Sequence, residues 1–141
     1  MADNEIKASG SCQCGKVTVA VNGPALRMAQ CHCRDCQKAS GTGHMSLVFM
    51  MDDDVEIQGE LSEFDCTTDS GNTSTRSFCP NCGSRVCGRN SGRAGVVGIP
   101  VGLFDDRSWF EPGAVVYSRT RDAWDITDTD IPNFETMPPP A

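Results

Sequence analysis

Cys31-His32-Cys33-Arg34-Asp35-Cys36-Gln37-Lys38-Ala39-Ser40-Gly41 sets three thiols at C-x-C-x2-C spacing. Such a triplet can grip one soft metal ion from one side, and it brings no obvious fourth donor with it. On zinc, four protein ligands close a structural site, whereas three leave a position for water or substrate. Gln37 to Ser40 then predict a short helical turn with Gly41 as its stop. Gly41-Thr42-Gly43 releases the chain into Met45 to Met51, an apolar run that predicts a strand.

Outward from the triplet, the other cysteines stand at 12, 14, 66, 79, 82 and 87, making nine. Ser11-Cys12-Gln13-Cys14-Gly15 is a C-x-C-G turn and Cys79-Pro80-Asn81-Cys82-Gly83 a C-P-x-C-G knuckle. Each glycine permits the tight turn, and the turn amides can donate to thiolates. Two ligands from each make a closed zinc site of Cys12, Cys14, Cys79 and Cys82, clamping early chain to late chain. Competing partitions split the triplet and waste its compact spacing. Cys31, Cys33 and Cys36 are then expected to hold a second, open zinc that binds substrate. The alternative is closure by Cys66, Cys87, His32 or His44. Cys66 and Cys87 lie in strand-like segments, where a free cysteine acts as a small apolar group. His32 is expected to point away from the metal, and His44 follows a glycine-rich turn.

Between these clusters the pattern is all-β. Val17, Val19 and Val21 alternate, with Asn22-Gly23-Pro24 as a turn. Val55 to Ile57 and Leu61 to Phe64 predict two short strands turning at Gly59. Thr73 to Phe78, Arg85 to Arg89 and Ala114 to Tyr117 predict further strands. Val96 to Val101 is broken by Pro100 and predicts an edge strand or a bulge.

With 141 residues the chain suits one domain, with a core over about 9–135, a flexible leader over 1–8 and a Pro-rich tail over 136–141. Hydrophobic residues make up 38% and aromatic ones 6%, a thin core that calls for metal staples. An odd cysteine count fits disulfides poorly. No apolar run resembles a signal peptide or a membrane span, so a cytoplasmic protein with free thiols is expected. A net charge of −7 argues against nucleic acid and anionic membranes as partners. Arg76, Arg85, Arg89 and Arg93 nevertheless occupy a stretch, Ser70 to Phe104, with no acidic residue. They either offset a thiolate-rich zinc or meet a carboxylate on a small substrate.

Three thiolates donate much negative charge, so a zinc they hold is a weaker Lewis acid than one on imidazoles. An incoming thiol suits it better than water. The pattern points to a thiol or thiol adduct as substrate.

Ser11 to Val17, Cys31 to Gly41 and Arg76-Ser77-Phe78-Cys79-Pro80-Asn81-Cys82-Gly83-Ser84 together resemble the glutathione-dependent formaldehyde-activating enzyme family, which includes centromere protein V. The likeness continues through Gly102 to Asp106 and Arg121-Asp122-Ala123-Trp124. It implies a β-tent of two antiparallel sheets with two zinc ions. In that family the two knuckles hold the structural zinc, and the triplet holds the catalytic zinc that meets glutathione's sulfur. The implied activity is carbon–sulfur lyase-like: formation and cleavage of S-hydroxymethylglutathione from formaldehyde and glutathione. One departure is Pro112-Gly113-Ala114-Val115, where many members carry a histidine at the valine position. The rival reading is a non-enzymatic zinc module for a protein partner or a thiol compound.

Overall fold

The structure, a computed structural model, describes residues 4–138. In chain order the strands are β1 (Glu5–Ser11), β2 (Thr18–Pro24), β3 (Arg27–Cys31), β4 (Met45–Met51), β5 (Val55–Gln58), β6 (Ser62–Thr67), β7 (Thr73–Phe78), β8 (Arg85–Asn90), β9 (Val96–Pro100) and β10 (Ala114–Val116). Helix α1 (Arg34–Ser40) lies between β3 and β4. The strands form two sheets: a three-stranded one ordered β1-β2-β5 and a seven-stranded one ordered β10-β3-β4-β9-β8-β7-β6. The smaller is antiparallel throughout. The larger is antiparallel except that β10 runs parallel to β3.

The core lies between the sheets. Ile6, Val19 and Val21 of the small sheet meet Val48, Met50, Val97 and Ile99 of the large one, with Phe104 among them. Strand alternation supplies these faces, since side chains two apart point the same way. β2 shows it directly: Val19 and Val21 are buried while Thr18, Ala20 and Asn22 are exposed. Gly10 is where the chain passes closest to itself. It bridges Phe104, and a Cβ there would stand 1.9 Å from the Leu103 carbonyl oxygen.

Three expectations are corrected. Residues 5–8, expected in a flexible leader, belong to β1, which pairs with β2 over its whole length, from Glu5↔Pro24 to Ser11↔Thr18. Only Ile6 of that strand is buried, so the pairing, not its apolar pattern, makes it a strand. Val55 to Ile57 and Leu61 to Phe64 do not turn back on one another: β5 pairs with β2 and β6 with β7. Gly59, at φ 116°, carries the chain from one sheet to the other. β9 is an interior strand, not an edge, because Pro100 is its last residue and lies beyond the single registered pair with β8, Gly88↔Gly98. The tail expected over 136–141 falls partly outside the described residues; Thr136 accepts a hydrogen bond from the Tyr117 amide at 3.2 Å.

The two edges of the large sheet differ. Beside β10, the Val115 amide donates to the Pro132 carbonyl at 2.9 Å and the Phe134 amide donates to Val115 at 2.8 Å, so later chain covers that edge. β6 at the other end has only β7 as a neighbour, and its Phe64 is 63% exposed. Among the described residues no helix is long and apolar enough to cross a membrane.

Gly10→Ala should destabilise the protein by about 2 kcal/mol through overpacking against the Leu103 backbone. Gly102→Ala, with nothing within 4 Å of its Cβ, should change stability far less. Urea unfolding of the two variants side by side checks this.

Candidate metal centres

Cys12 follows the last residue of β1 and Cys79 the last residue of β7, one strand from each sheet. Both turns fold alike. The Gly15 amide donates to the Cys12 carbonyl at 3.1 Å and the Gly83 amide to the Cys79 carbonyl at 2.8 Å. Both glycines sit at positive φ, 82° and 79°. The Gln13 amide donates to Ser84 Oγ at 3.1 Å and ties one turn to the other. Cys12 Sγ lies 3.6 Å from Cys14 Sγ, and Cys14 Sγ lies 3.7 Å from Cys79 Sγ. Zinc–sulfur bonds of about 2.3 Å set the edges of a tetrahedron at about 3.8 Å, so this spacing fits. All four sulfurs, Cys82 included, lie within 4.8 Å of one another. The set can hold zinc.

Amides and hydroxyls prepare these thiols. The Val17 amide donates to Cys12 Sγ at 3.3 Å. The Ser84 hydroxyl, then the Ser84 and Cys14 amides, pull the Cys82 thiol down to about 5. The Asn81 side chain, followed by the Lys16 amide, lowers Cys14.

The triplet forms at the junction of β3 and α1. Cys31 ends β3, Cys33 is the helix N-cap and Cys36 lies in the first turn. The Cys36 amide donates to Cys33 Sγ at 3.2 Å, the position a capping oxygen usually takes. Gly41, in the left-handed region at φ 78°, ends the helix as expected. Gln37 fixes α1 in place: its Nε2 donates to the His32 carbonyl at 2.9 Å and to the Thr120 carbonyl at 3.0 Å. The three sulfurs lie within 4.8 Å of one another.

These three thiols cannot all ionise unaided. Hydrogen bonds from Cys31 and Cys36 hold Cys33 down at about 2. Cys31 is pushed far above its ordinary value by its hydrogen bonds with Cys33 and Cys36, then by burial. Cys36 is pulled down by Cys31, but its hydrogen bond with Cys33 and its burial outweigh that and leave it at about 12. Thiols packed this closely give up their protons when they bind a dication. The donor set therefore fits zinc.

The surroundings separate the four arginines. Arg76 donates to the Asp35 carbonyl at 2.9 Å, and its charge favours the thiolate at Cys33 and Cys36. Arg85 is half-buried with Cys36 and Arg76 in its field, and its Nε has no hydrogen-bond partner among the described residues. Arg89 pairs with Asp52 at 2.6 Å, and Arg93 lies 5.7 Å from the Phe49 ring centroid. Arg76 and Arg85 belong to the triplet's surroundings; Arg89 and Arg93 are engaged elsewhere.

Met45, Ala114 and Val116 pack with Cys31 and Cys36, and Leu47, Tyr117 and Phe134 flank them. Tyr117 was not singled out by sequence. Its backbone lies at φ 55°, uncommon for a bulky residue. Burial first, then the negative charge of Asp69, Cys33 and Cys31, raises its phenol. Val115 is fully buried. It faces away from Ala114 and Val116, so it stands on the side of β10 remote from the triplet. Cys87 is fully buried in β8 and Cys66 partly buried in β6. Neither is grouped with the triplet among the described residues. His32 turns from the sulfurs to lie against His44, ring centroids 4.9 Å apart and planes tilted by 43°. Both rings approach Asp125, which sequence reasoning missed because 81 residues separate it from His44.

A family model described as glutathione-dependent formaldehyde-activating enzyme matches residues 7–120. The crystal structure of a Rhodobacter sphaeroides protein, a structural-genomics target, is similar in fold: TM-score 0.56 at 18% identity, covering 69% of this chain and 87% of that one. No curated protein matches the chain.

Two substitutions are expected to differ in kind. Cys79→Ser should lose metal and unfold the protein, because a metal joining the sheets contributes directly to folding. Cys33→Ser should stay folded and lose one zinc. Circular dichroism with elemental analysis of both variants checks the pair.

Proposed function

The chain belongs to the glutathione-dependent formaldehyde-activating enzyme family, and we propose that Cys31, Cys33 and Cys36 form its reaction centre, for making or breaking a carbon–sulfur bond in the adduct of a small thiol. Glutathione is the thiol for which the family is named, and an aldehyde of formaldehyde's size is the partner. In the forward direction the thiol sulfur adds to the carbonyl carbon, and the thiol proton ends on the carbonyl oxygen. Cys12, Cys14, Cys79 and Cys82 hold the second, structural zinc in this reading.

The observation that carries the proposal is the meeting of three cysteine sulfurs within 4.8 Å of one another where β3 becomes α1, with no fourth donor grouped with them among the described residues. Zinc on three thiolates, with one position left open, supplies affinity for a fourth sulfur and the deprotonation of that thiol. The chain's own groups do the rest. The Cys36 amide at 3.2 Å holds Cys33 in place. Leu47, Tyr117 and Phe134 wall the cluster with apolar surface that limits water. Arg76 and Arg85 present guanidinium groups to a carboxylate on the incoming thiol, a charge-assisted contact. Val115, where many relatives carry histidine, faces the other side of its strand, so its substitution takes no neighbour from the sulfurs.

Carbon-13 exchange spectroscopy of formaldehyde with glutathione is expected to show faster formation and breakdown of the hydroxymethyl adduct with wild type than without protein. Cys33→Ser should abolish the acceleration. Zinc-edge X-ray absorption should gain a sulfur at the triplet when glutathione is added. An unchanged exchange rate, together with four protein sulfurs on every zinc before any thiol is added, would refute this reading and favour a non-enzymatic zinc module.

Arg76→Ala should raise KM for glutathione about tenfold, the weight of one charge-assisted contact of about 1.5 kcal/mol. It should leave an uncharged thiol such as mercaptoethanol nearly unaffected. Initial rates with both thiols test the assignment.

A further inference from the structure

We propose that His32, His44 and Asp125 form a cation site of their own, taking one divalent first-row transition metal on two imidazole nitrogens and a carboxylate oxygen. One donor atom from each residue lies within 4.8 Å of the other two. Asp125 Oδ2 is 2.7 Å from His44 Nδ1 and 3.3 Å from His32 Nδ1. Bonds of about 2.0–2.1 Å around a tetrahedral zinc place neighbouring donor atoms about 3.3 Å apart, so a small adjustment at His44 admits the ion.

The buried ring of His32 asks for such an ion. It is fully buried, and neither of its nitrogens makes a well-formed hydrogen bond. The Gly43 backbone faces the ring without meeting that geometry. Unsatisfied nitrogens at such depth are costly, and native proteins rarely keep them without a reason. A cation between the rings and the carboxylate removes the cost at Nδ1, the nitrogen that faces Asp125. Gly43 keeps the space open, since a Cβ there would stand 2.2 Å from Asp125 Oδ2. The Arg121 guanidinium is engaged by the Asp122 and Asp125 carbonyls at 3.2 and 2.8 Å, which leaves the Asp125 carboxylate to the histidines.

The site is separate from the triplet although His32 lies between two of its cysteines. Cys31 pairs with Met45 across β3 and β4, and their side chains join the sulfur cluster. His32 and His44 each lie one residue beyond that pair, so their rings meet on the opposite face. The donors also differ in class. Imidazole and carboxylate suit zinc, cobalt, nickel or iron(II), whereas calcium and magnesium require oxygen ligands throughout. The His44 side chain is 21% exposed, which gives the ion a route in and leaves room for water on it.

The test counts metal on the full chain saturated with zinc. Native mass spectrometry should show one zinc fewer on both His44→Gln and Asp125→Asn than on wild type. Zinc-edge absorption should lose its imidazole nitrogen scatterers in both variants while the sulfur shell stays. Equal counts in all three proteins with no imidazole scatterer would overturn the site and leave a hydrogen-bonded Asp125–His44 pair. Loss of the sulfur-bound zinc in the variants would overturn it as well. The triplet's chemistry is read separately, from the adduct exchange rate.

Discussion

Sulfur crowded against sulfur is the constraint on which this architecture rests. Four thiols meet where β1 leaves one sheet and β7 leaves the other, and three more meet where β3 becomes α1. Neutral thiols gain little from such contact, and ionised ones repel at these distances. A dication would resolve both problems and turn a local repulsion into a tie between distant parts of the chain. The first cluster is placed to do so across the two sheets, beside a patch in which Cys12, Val17, Cys79 and Val86 pack together. The apolar content is modest for a protein of this length, so such a tie carries weight that a larger core would otherwise supply.

The two clusters are built differently from similar parts. In the sheet-joining cluster, each cysteine pair sits on a turn closed by a glycine amide, and Cys12 and Cys79 are sunk while Cys14 and Cys82 face solvent. In the triplet, a helix cap replaces the turn, and apolar side chains pack around three sulfurs. The same residue type thus gathers as four sulfurs at one place and as three at the other among the described residues.

Much of this was legible in the sequence, because metal-ligand spacing is local and survives without knowledge of the fold. The grouping of Cys12 and Cys14 with Cys79 and Cys82, and of Cys31, Cys33 and Cys36 together, follows from spacing and is what the structure brings together. Met45–Met51 and Thr73–Phe78 were legible as strands for the same reason: their apolar and β-branched residues suffice locally. What was hidden depends on distant partners. β1 is a strand because β2 pairs with it, not because its residues alternate. The sheet change at Gly59 looks like a hairpin turn until β2 and β7 are seen to claim its two flanks. Asp125 has no motif to announce it and reaches the histidines only after the chain has crossed the large sheet.

The bare border of β6 has a consequence for how copies of this protein behave toward one another. Unpaired strand edges invite like edges to dock, and an exposed phenyl ring at Phe64 strengthens the invitation. Glu63 and Asp65 flank Phe64 along the strand and point to its other face, where they meet Ser77 and Thr75 of β7, on a molecule that already carries −7. Two such borders approaching each other bring carboxylates together before backbones can join. The fence is electrostatic, so screening by concentrated salt lowers it. Any edge-to-edge pairing of copies would then follow ionic strength rather than unfolding.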